Sequence, residues 1–263
     1  MTTTIALAGK GGTGKTTVAA MIIKYLLQKQ SEAILAIDAD PSANLNMVLG
    51  VDLNWTVGEI REDMLDQVKQ SVIAGGAAMG SLAGGMSKHD YLDYEIHSAV
   101  TESDRFDLIA MGRSEGPGCY CAVNHNLREI IDSLSRSYSF VVIDNEAGME
   151  HLSRRTTRDV DHLYVISDPT QRGIVAADRI ANLKDELDID IKNAYLILNR
   201  APETLPEPLR ERIDQIQIPF LGQVPADQQV MEFDFEGRPL VTLDNNSAVY
   251  QAVESMLDET LKL

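Results

Sequence analysis

Gly9-Lys10-Gly11-Gly12-Thr13-Gly14-Lys15-Thr16-Thr17 is the stretch that decides how this chain folds. It follows an apolar run, Thr4 to Ala8, and opens a segment, Thr16 to Gln30, with apolar residues at i, i+3 and i+4. The nonapeptide satisfies G-x-x-x-x-G-K-[ST] between a strand and a helix, the context in which that pattern is informative. Its glycines let backbone N–H groups converge on phosphate oxygens while the new helix presents its positive end. Lys15 is placed to reach β and γ phosphates and Thr16 to hold Mg²⁺. The stretch predicts a nucleotide site.

Outward from this loop, short apolar runs alternate with amphipathic segments. Ala33 to Asp38, Arg105 to Met111, Phe140 to Asp144, His162 to Ser167, Ala194 to Asn199 and Ile218 to Val224 read as further strands. Several are apolar on both faces, as a parallel sheet covered by helices requires. Val123 to Arg136, Gly173 to Leu187, Pro206 to Ile213 and Ser247 to Lys262 read as helices. The alternation predicts an α/β fold, a single doubly wound, mostly parallel sheet flanked by helices. No linker or internal repeat divides the chain, so residues 1–263 are expected to form one P-loop ATPase domain. A Gly/Ala/Met-rich insertion near 71–89 reads as a loop.

Composition narrows the partners. Lys and Arg number 23 against 40 Asp and Glu, a formal charge of −17, which opposes contact with nucleic acid and with anionic membranes. No run approaches the roughly 18 apolar residues of a membrane span, and Met1 to Gly9 lacks the pattern of a secretion signal. A cytoplasmic location is expected.

Carboxylates at two other strand ends answer the phosphate loop. In Ile37-Asp38-Ala39-Asp40-Pro41, alternation puts Asp38 and Asp40 on one side of the chain, and one of them is expected near water at the γ-phosphate. For Asp38 a helix-capping role stays open. Val141-Val142-Ile143-Asp144 ends as a Walker B strand does, which makes Asp144 the expected Mg²⁺ partner, direct or through water. Gly148 and the segment from Met149 to Arg158 are expected to move with the γ-phosphate.

Cys119 and Cys121, in Gly116-Pro117-Gly118-Cys119-Tyr120-Cys121, are the only cysteines. Two thiolates fill half of a four-coordinate site. A two-fold axis supplies the other half, giving a Cys₄ site between two copies. His125 as a third ligand, a redox pair and plain buried thiols remain alternatives. The five histidines are scattered, and none is singled out as a ligand.

The run Lys10 to Thr16, written KGGTGKT, resembles the deviant Walker A family that includes MinD, ParA, the nitrogenase iron protein and the CooC maturation factors. That resemblance implies that Lys10 reaches across a homodimer to the partner's nucleotide, linking ATP to association. It implies that Asp40 orients the attacking water and Asp38 assists Mg²⁺ from outside. It also implies that Asn199, Arg200 and Pro225 lie at base-binding positions. Together with DADP, VVIDNEAG and GCYC, the chain resembles CooC-type and AcsF-type ATPases. The likeness implies ATP/ADP, Mg²⁺ and Ni²⁺ or Zn²⁺ at the two cysteines, with apo carbon monoxide dehydrogenase or acetyl-CoA synthase as client. A MinD/ParA-type positioning ATPase and an electron-transfer ATPase like the iron protein are the alternatives.

Overall fold

The computed structural model describes residues 2–73, 87–113, 129–147, 159–183, 190–261 and 263. Strand β1 (Thr3–Gly9) runs into the phosphate loop and then helix α1 (Lys15–Lys29). β2 (Ile34–Asp38), α2 (Leu45–Leu49), α3 (Val57–Ile73) and α4 (Lys88–Ala99) follow. Next come β3 (Thr101–Glu102), β4 (Phe106–Ala110), a helical stretch at 129–135 and β5 (Phe140–Asp144). β6 (Asp159–Ser167), α5 (Gln171–Leu183), β7 (Asp190–Ala201), α6 (Glu207–Ile213), β8 (Phe220–Pro225), α7 (Gln228–Glu236) and α8 (Ala248–Thr260) complete the described chain.

The strands form one sheet in the order β3-β4-β2-β5-β1-β6-β7-β8. Every pairing is parallel except that of β3 with β4 at the edge. Because side chains alternate along a strand, each strand feeds two cores. Ile5 and Leu7 of β1, Ala36 of β2 and Val142 of β5 pack with Val18, Ile22, Tyr250 and Val253 on the α1 and α8 face. Ala6, Ala8, Leu35, Ile37, Val141 and Ile143 pack with Met64, Leu92, Ile131 and Ile174 on the other. Burial on both faces explains why these strands read as unbroken apolar runs.

The expected seven strands and the layered α/β architecture are present. Several boundaries differ, and α2, α3, α4 and α7 were not foreseen as helices. The expected loop at 71–89 is narrower: Ser71 to Ile73 finish α3, while Ser87 caps α4, its hydroxyl accepting from the Asp90 N–H at 3.0 Å, so that Lys88 and His89 are helical. Residues 74–86 lie outside the described part. The strand expected to end at Met111 stops at Ala110, but the Met111 N–H still donates to the Asp38 carbonyl at 2.7 Å. Of the helices expected over Val123 to Arg136 and Gly173 to Leu187, residues 123–128 and 184–187 lie outside the described part.

β5 inserts between β2 and β1, so the carboxyl ends of three strands lie side by side. Asp38 is the register partner of Asp144, and Leu7 is the partner of Asp144 on its other side. The strand order therefore gathers the phosphate loop and two carboxylates at one edge, where such sheets bind ligands.

Candidate nucleotide site

Gly9 leaves β1 with φ +156°, and a Cβ there would stand 2.2 Å from the Ile166 carbonyl oxygen of β6. Only glycine permits that approach. The loop then turns on Gly12 and Gly14, both at positive φ. The Lys10 carbonyl closes the turn, accepting from the Thr13 hydroxyl at 2.9 Å and from Lys15 Nζ at 3.5 Å. Gly14 begins α1 with no side-chain cap and no acid in its first turn, so the helix's leading N–H groups are available to an anion.

Lys15 is buried. Desolvation draws its pKa below the usual lysine value, against the opposing charges of Asp144, Asp40 and Glu146. Thr16 Oγ1 donates to Asp144 Oδ2 at 2.6 Å, whereas the buried Asp144 Oδ1 has no partner. Burial first, then the charges of Asp38 and Asp40, raise the Asp144 carboxyl to about 7 against the pull of the Thr16 hydrogen bond and Lys15. An unpartnered buried carboxylate oxygen beside a threonine hydroxyl is a donor set suited to Mg²⁺ or its water shell. Fit to that cation is therefore met at Thr16 and Asp144.

Asp38 and Asp40 differ from the alternation expected of them, because β2 ends at Asp38 and the chain turns. Asp38 is buried and its carboxylate accepts two backbone N–H groups, Asp40 at 3.1 Å and Leu45 at 2.8 Å. The second of these caps α2, so the capping role left open is realised. Burial outweighs these hydrogen bonds and pushes the Asp38 carboxyl up to about 6. Asp40 is half-exposed and takes the Ser42 N–H at 2.8 Å and the Ser42 hydroxyl on one carboxylate oxygen. It lies close enough to raise the Lys15 pKa, which keeps it at the phosphate end of the site.

Beside the start of α1 a cleft of about 430 Å³ is walled by Thr17, Val48, Asn199, Arg200, Pro225, Val230 and Met231, among others. Asn199, Arg200 and Pro225 thus line one cleft. Two of them have an additional attachment: Asn199 Nδ2 donates to the Thr13 carbonyl at 2.8 Å, and Arg200 Nη1 to the Gly12 carbonyl at 3.2 Å.

Two further polar residues of the site, Asn145 and Glu146, directly follow Asp144 within the VVIDNEAG stretch, where the sequence assigns neither of them a role. Asn145 is buried and its Nδ2 donates to the Leu7 carbonyl at 2.8 Å, tying the end of β5 to the root of the phosphate loop. Glu146 adds a third carboxylate near Lys15. Lys10 is exposed at the rim. Cys119, Cys121, His125 and the segment from Gly148 to Arg158 lie outside the described residues. Among the described residues no group of three or more His, Cys, Asp or Glu is arranged to hold a metal ion, and no helix is long and apolar enough to cross a membrane.

The CobQ/CobB/MinD/ParA nucleotide-binding domain family matches residues 4–240, nearly the whole chain. This chain belongs to that family. It is accordingly an ATP-binding ATPase. An uncharacterized ATP-binding protein of Methanocaldococcus jannaschii is 41% identical over 257 residues, spanning 98% of either chain. The carbon monoxide dehydrogenase accessory protein CooC of Rhodospirillum rubrum is 30% identical over 241 residues, 89% of this chain and 87% of CooC. Among solved structures, the septum site-determining protein MinD of Pyrococcus horikoshii with Mg-ADP superimposes with a TM-score of 0.66. That match has 24% identity and covers 98% of this chain and 96% of MinD, a likeness of fold.

Proposed function

We propose that this ATPase supports nickel insertion into carbon monoxide dehydrogenase or acetyl-CoA synthase. The observation that carries the proposal is the 30% identity to CooC across nine-tenths of the chain, joined to the Cys119-x-Cys121 pair that can fill a shared four-sulfur site only in a dimer. In this reading the protein works in the cytoplasm as a homodimer, with Ni²⁺ or Zn²⁺ held by Cys119 and Cys121 of both copies.

The geometry of the site supports the nucleotide end of the reading. Adenine enters the cleft beside Asn199, Arg200 and Pro225, and the phosphates run along the N–H groups of residues 10–17. Lys15 holds the β and γ phosphates, and Asp40 orients the attacking water. Thr16 and Asp144 would hold Mg²⁺, with Asp38 behind them, and the cation supplies charge neutralisation at the phosphates. Lys10 of each copy reaches the other's nucleotide, so triphosphate favours the closed dimer.

The competing reading is a positioning ATPase of the MinD type, favoured by the likeness to solved MinD structures. Against it stands the packing of α8. Val249, Tyr250, Val253, Met256 and Leu257 of α8 are buried in the core, and its acidic side pairs Glu254 and Asp258 with Lys29. That helix offers no free apolar face to a lipid surface.

The test is metal content together with molecular mass in solution, with and without ATP, for the natural chain and for Cys119→Ser and Cys121→Ser. One Ni²⁺ or Zn²⁺ per two chains, lost in both variants while ATP binding persists, supports the proposal. Metal retained in the double variant, or ATP-dependent sedimentation with anionic vesicles and no metal, refutes it.

A further inference from the structure

Arg200 is one of two non-glycine residues with positive φ among the described residues, at +54°. Left-handed backbone is unfavourable for an arginine and is kept only where the surroundings fix it. It occurs where the register of β7 against β8 shifts, between Asn199 and Ala201. The outcome of that irregular geometry is a guanidinium on the Gly12 carbonyl, next to an Asn199 amide on the Thr13 carbonyl. Two consecutive carbonyls of the phosphate loop are therefore held from one strand end, far away along the chain.

In a trans peptide the C=O and the next N–H point in opposite directions. Drawing the Thr13 carbonyl toward Asn199 turns the Gly14 N–H away from β7. Drawing the Gly12 carbonyl toward Arg200 turns the Thr13 N–H back toward the loop interior, where it approaches the Lys10 carbonyl at 3.4 Å. The fit is close: a Cβ on Gly14 would stand 2.2 Å from Asn199 Nδ2.

We infer that Arg200, with Asn199, is a positioning residue for the phosphate loop: it braces the internal turn from which the loop's N–H groups are presented to the phosphates and does not read the base. Its donor is engaged on a carbonyl of the loop itself, so its effect falls on the loop and extends to any ligand carrying a polyphosphate. The inference concerns the ATPase itself and is independent of the nickel reading, though it assigns Arg200 a different task from base contact.

The test uses Arg200→Gly in the full chain, because glycine keeps the left-handed backbone and removes only the guanidinium. Affinity for ATP and for inorganic tripolyphosphate, which has no base, is measured together with the ATP-to-GTP preference. Hydrogen–deuterium exchange over residues 9–17 is followed in the nucleotide-free protein. The expected result is a loss of about five- to tenfold for both ligands, the scale of one ordinary net hydrogen bond, with unchanged base preference and faster exchange in the free loop. Weaker ATP with unchanged tripolyphosphate, or an altered ATP-to-GTP ratio, overturns the inference in favour of base reading. Equal losses with unchanged exchange overturn it in favour of direct phosphate contact, and no loss for either ligand overturns it outright.

Discussion

Thr16 Oγ1 and Asp144 Oδ2, 128 residues apart in sequence, meet at 2.6 Å and join the first turn of α1 to the end of β5. The bond satisfies one carboxylate oxygen and leaves the other buried and unpartnered. Replacing Asp144 by Asn keeps a partner for Thr16 but removes the negative charge. Steady-state hydrolysis is expected to fall about 100-fold or more, with nucleotide binding in the absence of Mg²⁺ little changed. Wild-type turnover in that variant would remove Asp144 from the cation's coordination sphere.

The same carboxyl gives the free protein a characteristic pH dependence. Asp144 at about 7 and Asp38 at about 6 bind protons more tightly than the unfolded chain, whose carboxyls titrate near 3.8. Between about pH 4 and 7 the folded state therefore holds more protons, and the stability from these two sites falls as pH rises through that window. Asp144→Asn is expected to raise the thermal midpoint by about 3 °C or more at pH 8 and by less than half as much at pH 5. Equal shifts at both values, read by calorimetry of nucleotide-free protein, would contradict the raised pKa.

The proposed function gives Asp40 to hydrolysis and Lys10 to association. Asp40→Ala is expected to bind ATP but turn it over about 100-fold more slowly, because in the proposed function Asp40 aligns the attacking water. Lys10→Ala, on an exposed side chain, is expected to bind ATP within a few-fold of wild type and to lose nucleotide-dependent dimerisation by analytical ultracentrifugation. A dimer that forms with ATP as before would exclude the bridging lysine.

Gly9 tests the fold beneath the site. The Ile166 carbonyl oxygen, 2.2 Å from where an alanine methyl would stand, is backbone of the neighbouring strand and cannot rotate away. Gly9→Ala should cost at least about 2 kcal/mol of stability by chemical denaturation, because β1 and β6 must part. A variant as stable as the parent would show that the two strands yield easily.

The helices missed in the sequence show where local pattern fails. α2 has only five residues, Leu45–Leu49, too short for a periodic signal, and its leading N–H is capped by Asp38 from the strand before it. α7 carries the exposed Met231 and Phe235 alongside buried Phe233, which blurs the apolar stripe that would mark an amphipathic helix. By contrast β1, β2 and β5 were legible because burial on two faces leaves an unbroken apolar run.

What the sequence determined by itself is whatever neighbouring residues enforce: a glycine loop between a strand and a helix, lysines at fixed offsets within it, and an aspartate ending an apolar strand. Those features depend on φ, ψ and side-chain period over a few residues. The tertiary structure alone decided that β5 slips between β1 and β2, which sets Asp38 against Asp144 in register, and that Asn199 and Arg200 grip the Thr13 and Gly12 carbonyls. Strand order and long-range hydrogen bonds arise from how two apolar faces are covered at once, and no stretch of chain encodes that locally.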